Sequence, residues 1–238
     1  MMQERLCFAN SIVSFFRELE FKGTLPEGVS IMNPFRENPE IMPVIAQFYN
    51  KFYNDSNPRQ LIMGINPGRF GAGVTGIPFT DSKRLSEKCG FSIPDMKTFE
   101  TSSVFIYEMI DAYGGVEKFY SRFFISAVCP LGFTAMNGKG NALNYNYYDS
   151  KKLTLAVMNF IIASLRKQLD FGIDRDVCYC LGTGTNFKFL LKLNSEHKFF
   201  NRIIPLEHPR YVMQYKTKQK ELYINKYLQS FRLTSEKD

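Results

Sequence analysis

The sequence predicts an α/β protein built in three layers, with helices on both faces of a four-stranded parallel sheet. Three observations carry that expectation. Four short apolar runs, LIMGI, FFISAV, VCYCL and RIIPL, each end in turn-forming or polar residues. The stretches between them carry apolar residues at helical spacing, and strands alternating with helices at such intervals build parallel βαβ units. No repeat or linker splits the 238 residues, 45% of them hydrophobic, so a single domain over 1–238 is expected.

In chain order, Leu6, Ala9, Val13, Phe16 and Leu19 recur at helical spacing and predict a helix over 3–21. Glu4, Arg5, Arg17 and Glu18 bracket too short an apolar run for a secretory signal. A second helix is predicted over 43–53, where Pro43 fits a first turn ahead of Val44, Ile45, Phe48, Tyr49 and Phe52. The polar turn NDSNPRQ precedes the first strand, 61–65, which ends at NPG. A glycine-rich loop follows. Residues 81–120 read as mostly helical, with Ser102 or Ser103 as a cap before Phe105, Ile106, Met109 and Ile110.

The second strand, 123–128, leads into a Gly-, Asn- and Tyr-rich loop over 129–148. A long amphipathic helix starts near Asp149, and Gly182 ends the third strand, 177–181. After another helix comes the fourth strand, 202–206, whose exit is EHPR. A Lys-rich helix over 216–230 closes the chain. In parallel sheets ligands bind beyond the carboxyl ends of the strands, marked here by Asn66, Cys129, Gly182 and His208.

Composition narrows the function classes. Thirty Lys plus Arg against 23 Asp plus Glu give a net charge of +7, which suits an anionic partner, nucleic acid first. No run reaches the ~18 apolar residues of a membrane helix, so a soluble chain is expected. Even 153–165 is broken by Thr154, Asn159 and Ser164. Cys7, Cys89, Cys129, Cys178 and Cys180 are odd in number and form no CxxC pair. Neither a disulfide framework nor a zinc or iron–sulfur site is suggested, and a reducing cytoplasm fits. Cys178 and Cys180 share one strand face and read as buried thiols.

Within GINPGRFGAGVTGIPFTD, Gly71, Gly73 and Gly76 match GxGxxG. A dinucleotide fingerprint needs a strand running straight into the glycines and a helix opening after them, whereas NPGRF precedes these and Pro78 and Phe79 follow. No GK followed by Ser or Thr occurs, so a P-loop is excluded. Glycines here allow close backbone approach, and Phe79 offers a flat face for a base. The alternative is an ordinary turn with Phe79 in the core. Asn66 carries an acceptor and a donor that hold water without titrating.

His208, at the same rim, can donate a hydrogen bond to a developing anion, or be a satisfied structural histidine. His197, in SEHKFF, reads as structural. Arg210, Lys216, Lys218, Lys220 and Lys226 alternate with Tyr211, Met213, Tyr215 and Tyr223. Such a segment either neutralises phosphates while apolar groups press on bases, or is a solvated terminal helix.

Together these segments resemble the uracil-DNA glycosylase superfamily, most closely its single-strand-selective monofunctional (SMUG-type) branch. GINPGRFGAGVTGIPF is similar to that branch's GMNPGPFGMxQTGVPF. The resemblance implies that Asn66 positions the attacking water, Gly68 is the small residue beside it, Phe79 stacks on the flipped base and the Ile65 backbone helps hold it. SAVCPLGF resembles HNLCPLLF, with Cys129, Pro130 and Leu131 in register. Ala127 stands where the family has an asparagine that reads uracil, and it has no side-chain hydrogen bond to offer. EHPRYV resembles HPSPRN, which makes His208 the group that stabilises the departing base, although the loop is shorter after Pro209.

The implied activity is a monofunctional DNA repair glycosylase acting on a flipped deaminated base and leaving an abasic site. Uracil is the implied base, and the loss of the amide at Ala127 opens the site to xanthine or hypoxanthine. Asn137 or Asn141 could supply the missing amide. Arg69, Lys139, Arg210, Tyr211, Lys216 and Lys218 are the expected DNA contacts. A monomer without metal or cofactor, acting on single- or double-stranded DNA in the cytoplasm, is expected. Two other readings stand beside it: a DNA-binding protein that kept the fold without the chemistry, and a nucleotide-binding enzyme with the glycine loop as a phosphate cradle.

Overall fold

Helix α1 (Phe8–Glu18) turns Phe8, Ile12, Phe15 and Phe16 inward, the spacing of one helical face. The computed structural model describes residues 7–233, so the start of the predicted 3–21 helix lies outside the described residues. At its other end the helix stops sooner, because Leu19 is extended at φ −66°, ψ 114°. Strand β1 (Val29–Met32), the short α2 (Pro34–Glu37) and α3 (Ile41–Tyr53) follow. Pro43 falls in the first turn of α3, where its missing N–H costs nothing.

Strand β2 (Arg59–Gly64) is buried along its whole length. The glycine loop holds only the one-turn α4 (Ala72–Thr75). Region 81–120, expected to be mostly helical, is broken. It comprises α5 (Ser82–Arg84), a π-helical turn at Leu85–Cys89, an irregular stretch with Pro94 and Asp95 at φ 55°, then α6 (Thr101–Tyr113) and α7 (Val116–Tyr120). Neither Ser102 nor Ser103 caps α6. Glu100 is the extended residue before it, and Ser103 Oγ is engaged instead by the Asp81 amide and the Glu100 carboxyl.

After β3 (Phe123–Ala127), the segment expected as loop forms β4 (Gly132–Met136) and β5 (Ala142–Tyr145). They join β1 in a three-stranded antiparallel sheet, order β1-β4-β5. These strands are short and half-exposed, so no apolar run betrays them. Ser150 caps α8 (Lys151–Leu169) by accepting from the Leu153 amide. Next come β6 (Ile173–Leu181), α9 (Thr185–His197), β7 (Arg202–Leu206) and α10 (Pro209–Tyr215). A 3₁₀ turn at Thr217–Gln219 delays the final helix, α11, to Lys220–Leu233.

The main sheet is parallel throughout, in the order β3-β2-β6-β7. Two adjacent residues of β3 show the layering, since successive side chains of a strand leave opposite faces. Phe123 packs on Phe231 of α11 with ring centroids 4.5 Å apart, while Phe124 packs on Phe8 of α1 at 5.6 Å. The result is the three-layer α/β/α arrangement. Cys178 and Cys180 are free and buried, as expected from their shared face. Among the described residues no helix is long and apolar enough to cross a membrane.

Candidate active site

The strand exits gather at one rim. Beyond β2 and β3 the pairing runs on: the Val128 amide donates to the Gly64 carbonyl and the Cys129 amide to the Ile65 carbonyl, both at 3.1 Å. Gly182 N–H donates to Leu206 O at 2.7 Å and ties the exits of β6 and β7. Outside β2 and β3 opens a cavity walled by Asn66, Gly68, Phe79, Glu100, Ser126 and Ala127, with Ile65 at its edge.

Phe79 is a wall of this cavity and not a core residue. Its ring lies against Gly64, where a Cβ would come within 2.9 Å of a ring carbon, so any larger residue there would push the Phe79 ring aside. Its backbone sits at φ 52°, a left-handed conformation that bulky residues rarely adopt and that stores strain at functional sites. The glycine turn is packed backbone on backbone. Gly68 O accepts from Gly71 N at 3.1 Å and from Gly73 N at 2.9 Å, and a Cβ on Gly73 would lie 2.7 Å from that oxygen.

Asn66 is held by the end of β5. Its Nδ2 donates to the Tyr145 and Pro67 carbonyls, each at 3.3 Å, and its Oδ1 accepts from the Tyr147 amide at 3.0 Å. An amide oxygen takes two hydrogen bonds, so Oδ1 keeps one acceptor position. Tyr147 is itself anchored, its hydroxyl donating to Asn186 Oδ1 at 2.8 Å. Asn186 Nδ2 donates to Leu181 O at 3.1 Å, which locks the group to the end of β6.

His208 caps α10. Its Nδ1 accepts from the Arg210 amide at 3.1 Å, which leaves the proton on Nε2. Burial first, then the nearby Arg210 charge, lower its pKa to about 4, so the ring is neutral at pH 7. It lies in a neighbouring hollow with Tyr148, Asn186, Glu207 and Tyr211, and Ile65 is the wall common to both. Its ring is 5.7 Å from that of Phe79, centroid to centroid. Asn66 and His208 thus line adjoining hollows that share Ile65, and the Phe79 wall of the first comes up to the His208 ring of the second.

Ala127 is buried in the cavity wall at 8% exposure. The asparagines expected to stand in for its missing amide are elsewhere. Asn137 Oδ1 accepts from the Lys139 and Asn141 amides, both at 2.9 Å, so both asparagines build the β4–β5 turn and neither walls the cavity. Besides Asn66 and Ser126, the wall carries Glu100, a polar group that no motif flags. Burial pushes its carboxyl up to about 7; the Ser103 hydroxyl and Arg210 oppose that shift, and Asp81 adds to it. The Tyr145 and Tyr147 backbone contacts were equally invisible, because they arise from the strand the sequence conceals.

Of the expected DNA contacts, Arg210 and Tyr211 are exposed in the first turn of α10 beside His208, and Lys218 is exposed in the turn after it. Lys216, half-buried, ends α10. Lys139 is exposed in the β4–β5 turn, and the Arg69 guanidinium lies 4.3 Å from the centroid of the exposed Phe70 ring. Lys220 and Lys226 are committed to ion pairs with Glu108 at 2.5 Å and Glu207 at 2.6 Å. Among the described residues no His, Cys, Asp and Glu cluster could hold a metal ion.

A model of the uracil DNA glycosylase superfamily matches residues 50–232. The crystal structure of wild-type SMUG2 from Pedobacter heparinus is similar at 53% identity, covering 99% of this chain and 100% of that one, with a TM-score of 0.94. No match was found among curated proteins. With the family match over most of its length and a SMUG-type neighbour over nearly all of it, the chain belongs to the uracil-DNA glycosylase superfamily, as a SMUG-type member.

Proposed function

We propose that this DNA glycosylase is monofunctional, with water as the nucleophile, and that it takes uracil together with the deaminated purines hypoxanthine and xanthine. The nucleotide is extruded from the stack so that its glycosidic bond becomes reachable. The base lies along Phe79. Asn66 Oδ1 uses its second acceptor position to aim a water at C1′ of the sugar. The C1′–N bond breaks with its electron pair going to the base, the sugar gains oxocarbenium character, and the water oxygen bonds to C1′ while its proton leaves to solvent. His208, neutral, donates Nε2–H to the charge growing on the base, an interaction stronger in the transition state than before it.

The observation that carries this reading is the fixed amide of Asn66, oriented by two backbone groups at the edge of a cavity with an aromatic wall. Ala127 supports the broader base range, since a wall without an amide does not penalise the wrong hydrogen-bonding edge. Single-turnover release of abasic sites from oligonucleotides bearing one lesion each, by wild type, Asn66→Ala and His208→Ala, tests it. Undiminished rates in both variants refute the assigned roles. Salt-sensitive DNA binding with no abasic product from any lesion favours a binding protein instead.

A further inference from the structure

We propose that Glu100 is a specificity-determining residue of the base cavity, its Oε1–H donating to the carbonyl oxygen that deamination places on the base. This rests on the glycosylase reading above and names the group that replaces the amide absent at Ala127.

The geometry starts from a one-way hydrogen-bond chain. The Asp81 amide donates to Ser103 Oγ at 3.1 Å, so the Ser103 proton is turned the other way, onto Glu100 Oε2 at 3.2 Å. A carboxyl that accepts at Oε2 carries its proton on Oε1 when neutral. The two oxygens also differ in place. A Cβ on Gly71, which is not part of the cavity wall, would lie 2.2 Å from Oε2 and 3.0 Å from Oε1, whereas a Cβ on Gly68, which is part of it, would lie 3.2 Å from Oε1 with Oε2 more than 4 Å away. Oε1 is the cavity-side oxygen.

A neutral carboxyl presents what an asparagine amide presents, one donor beside one acceptor. Uracil, hypoxanthine and xanthine each carry a carbonyl where the parent base carries an amino group, so a donor fixed at Oε1 accepts the deaminated base and opposes the amino form. The charged groups facing Glu100 are Asp81, paired with Arg84 at 3.1 Å, and Arg210 from α10. Burial among them keeps the neutral form populated near pH 7.

The experiment compares wild type, Glu100→Gln and Glu100→Ala in single-turnover cleavage of uracil and hypoxanthine oligonucleotides from pH 5.5 to about 8.5, spanning the titration of Glu100. In the wild type, the rate falls as Glu100 ionises. Glu100→Gln keeps a donor and an acceptor at all pH values and removes that fall. Glu100→Ala loses about tenfold at the acid end, the scale of one hydrogen bond. A Glu100→Gln profile that follows the wild-type profile overturns the proposal, as does a Glu100→Ala rate equal to wild type.

Binding separates this from the glycosylase reading. Affinities for oligonucleotides carrying uncleavable 2′-fluoro-deoxyuridine or 2′-fluoro-deoxycytidine are measured with the same proteins. A uracil preference in wild type that Glu100→Ala abolishes upholds the proposal even if no lesion is cleaved. Equal affinities in wild type overturn it even if cleavage is observed.

Discussion

The backbone amide of Tyr147 donates to Oδ1 of Asn66 at 3.0 Å, while two residues earlier the Tyr145 carbonyl takes a hydrogen bond from Nδ2 of the same side chain. One strand end therefore supplies both a donor and an acceptor, and only one orientation of the amide satisfies both. Asn66→Asp keeps the first contact and sets a carboxylate oxygen against the Tyr145 carbonyl. Abasic-site formation should fall on the order of 10²-fold, the scale of misplacing a reacting group by about an ångström. A rate equal to wild type would show that the Tyr145 contact does not position the amide.

Gly132 offers a test at one remove. A Cβ there would lie 2.4 Å from the carbonyl oxygen of Pro67, the residue next to Asn66, and backbone cannot yield cheaply. Gly132→Ala should slow cleavage by about tenfold or more through displacement of the Asn66 loop, with DNA affinity little changed. Fluorescence-anisotropy titration beside single-turnover kinetics checks this, and equal loss in both would point to wider damage.

His208 has a sign that can be worked out. Its folded pKa of about 4 lies below the ordinary value of about 6.5, so between these the unfolded chain binds a proton that the folded chain does not. Stability should decline as pH falls from about 6.5 toward 4. His208→Asn, which retains a capping oxygen for the Arg210 amide, should flatten that decline in urea midpoints measured at several pH values. An unchanged slope would mean that His208 titrates normally.

Glu100 runs the other way. Its folded pKa of about 7 exceeds the ordinary carboxyl value of about 4.3, so the folded chain retains a proton that the unfolded chain gives up. Its contribution to stability falls as pH rises through that interval. Glu100→Gln should accordingly raise the melting temperature more at pH 8, above both pKa values, than at about pH 4, where both states hold much of the proton. A gain equal at both pH values would contradict the raised pKa.

Tyr147→Phe removes the hydroxyl that bonds the buried Asn186 oxygen. An orphaned buried acceptor costs about 1–3 kcal/mol, to be read from denaturant unfolding. Cleavage should slow as well, because the Tyr147 backbone is what orients Asn66.

The parallel sheet was legible because LIMGI, FFISAV and VCYCL are almost wholly buried and so appear as unbroken apolar runs, with the half-exposed edge strand RIIPL still apolar in four of its five letters. Asn66 and Phe79 were legible because the glycine loop leaves a pattern in consecutive letters. What stayed hidden depends on tertiary encounter. β4 and β5 are only five and four residues long and carry exposed Met136, Leu143 and Asn144, and Glu100 is an ordinary acidic residue until the start of α6 sets it beside Gly68 and Gly71. The placing of Asn66 and His208 in adjoining hollows that share Ile65 was likewise beyond reach, since letters order the strand exits without giving the distances between them.

The β4–β5 hairpin divides its labour along its length. At its base, Tyr145 fixes Asn66; at its tip, Asn137 bonds the Lys139 and Asn141 amides and closes the turn by itself. Exchange or lengthening of the tip should thus leave abasic-site formation at its wild-type rate. Altered preferences for how a strand is gripped could evolve, or be engineered, as an appendage to chemistry that stays fixed.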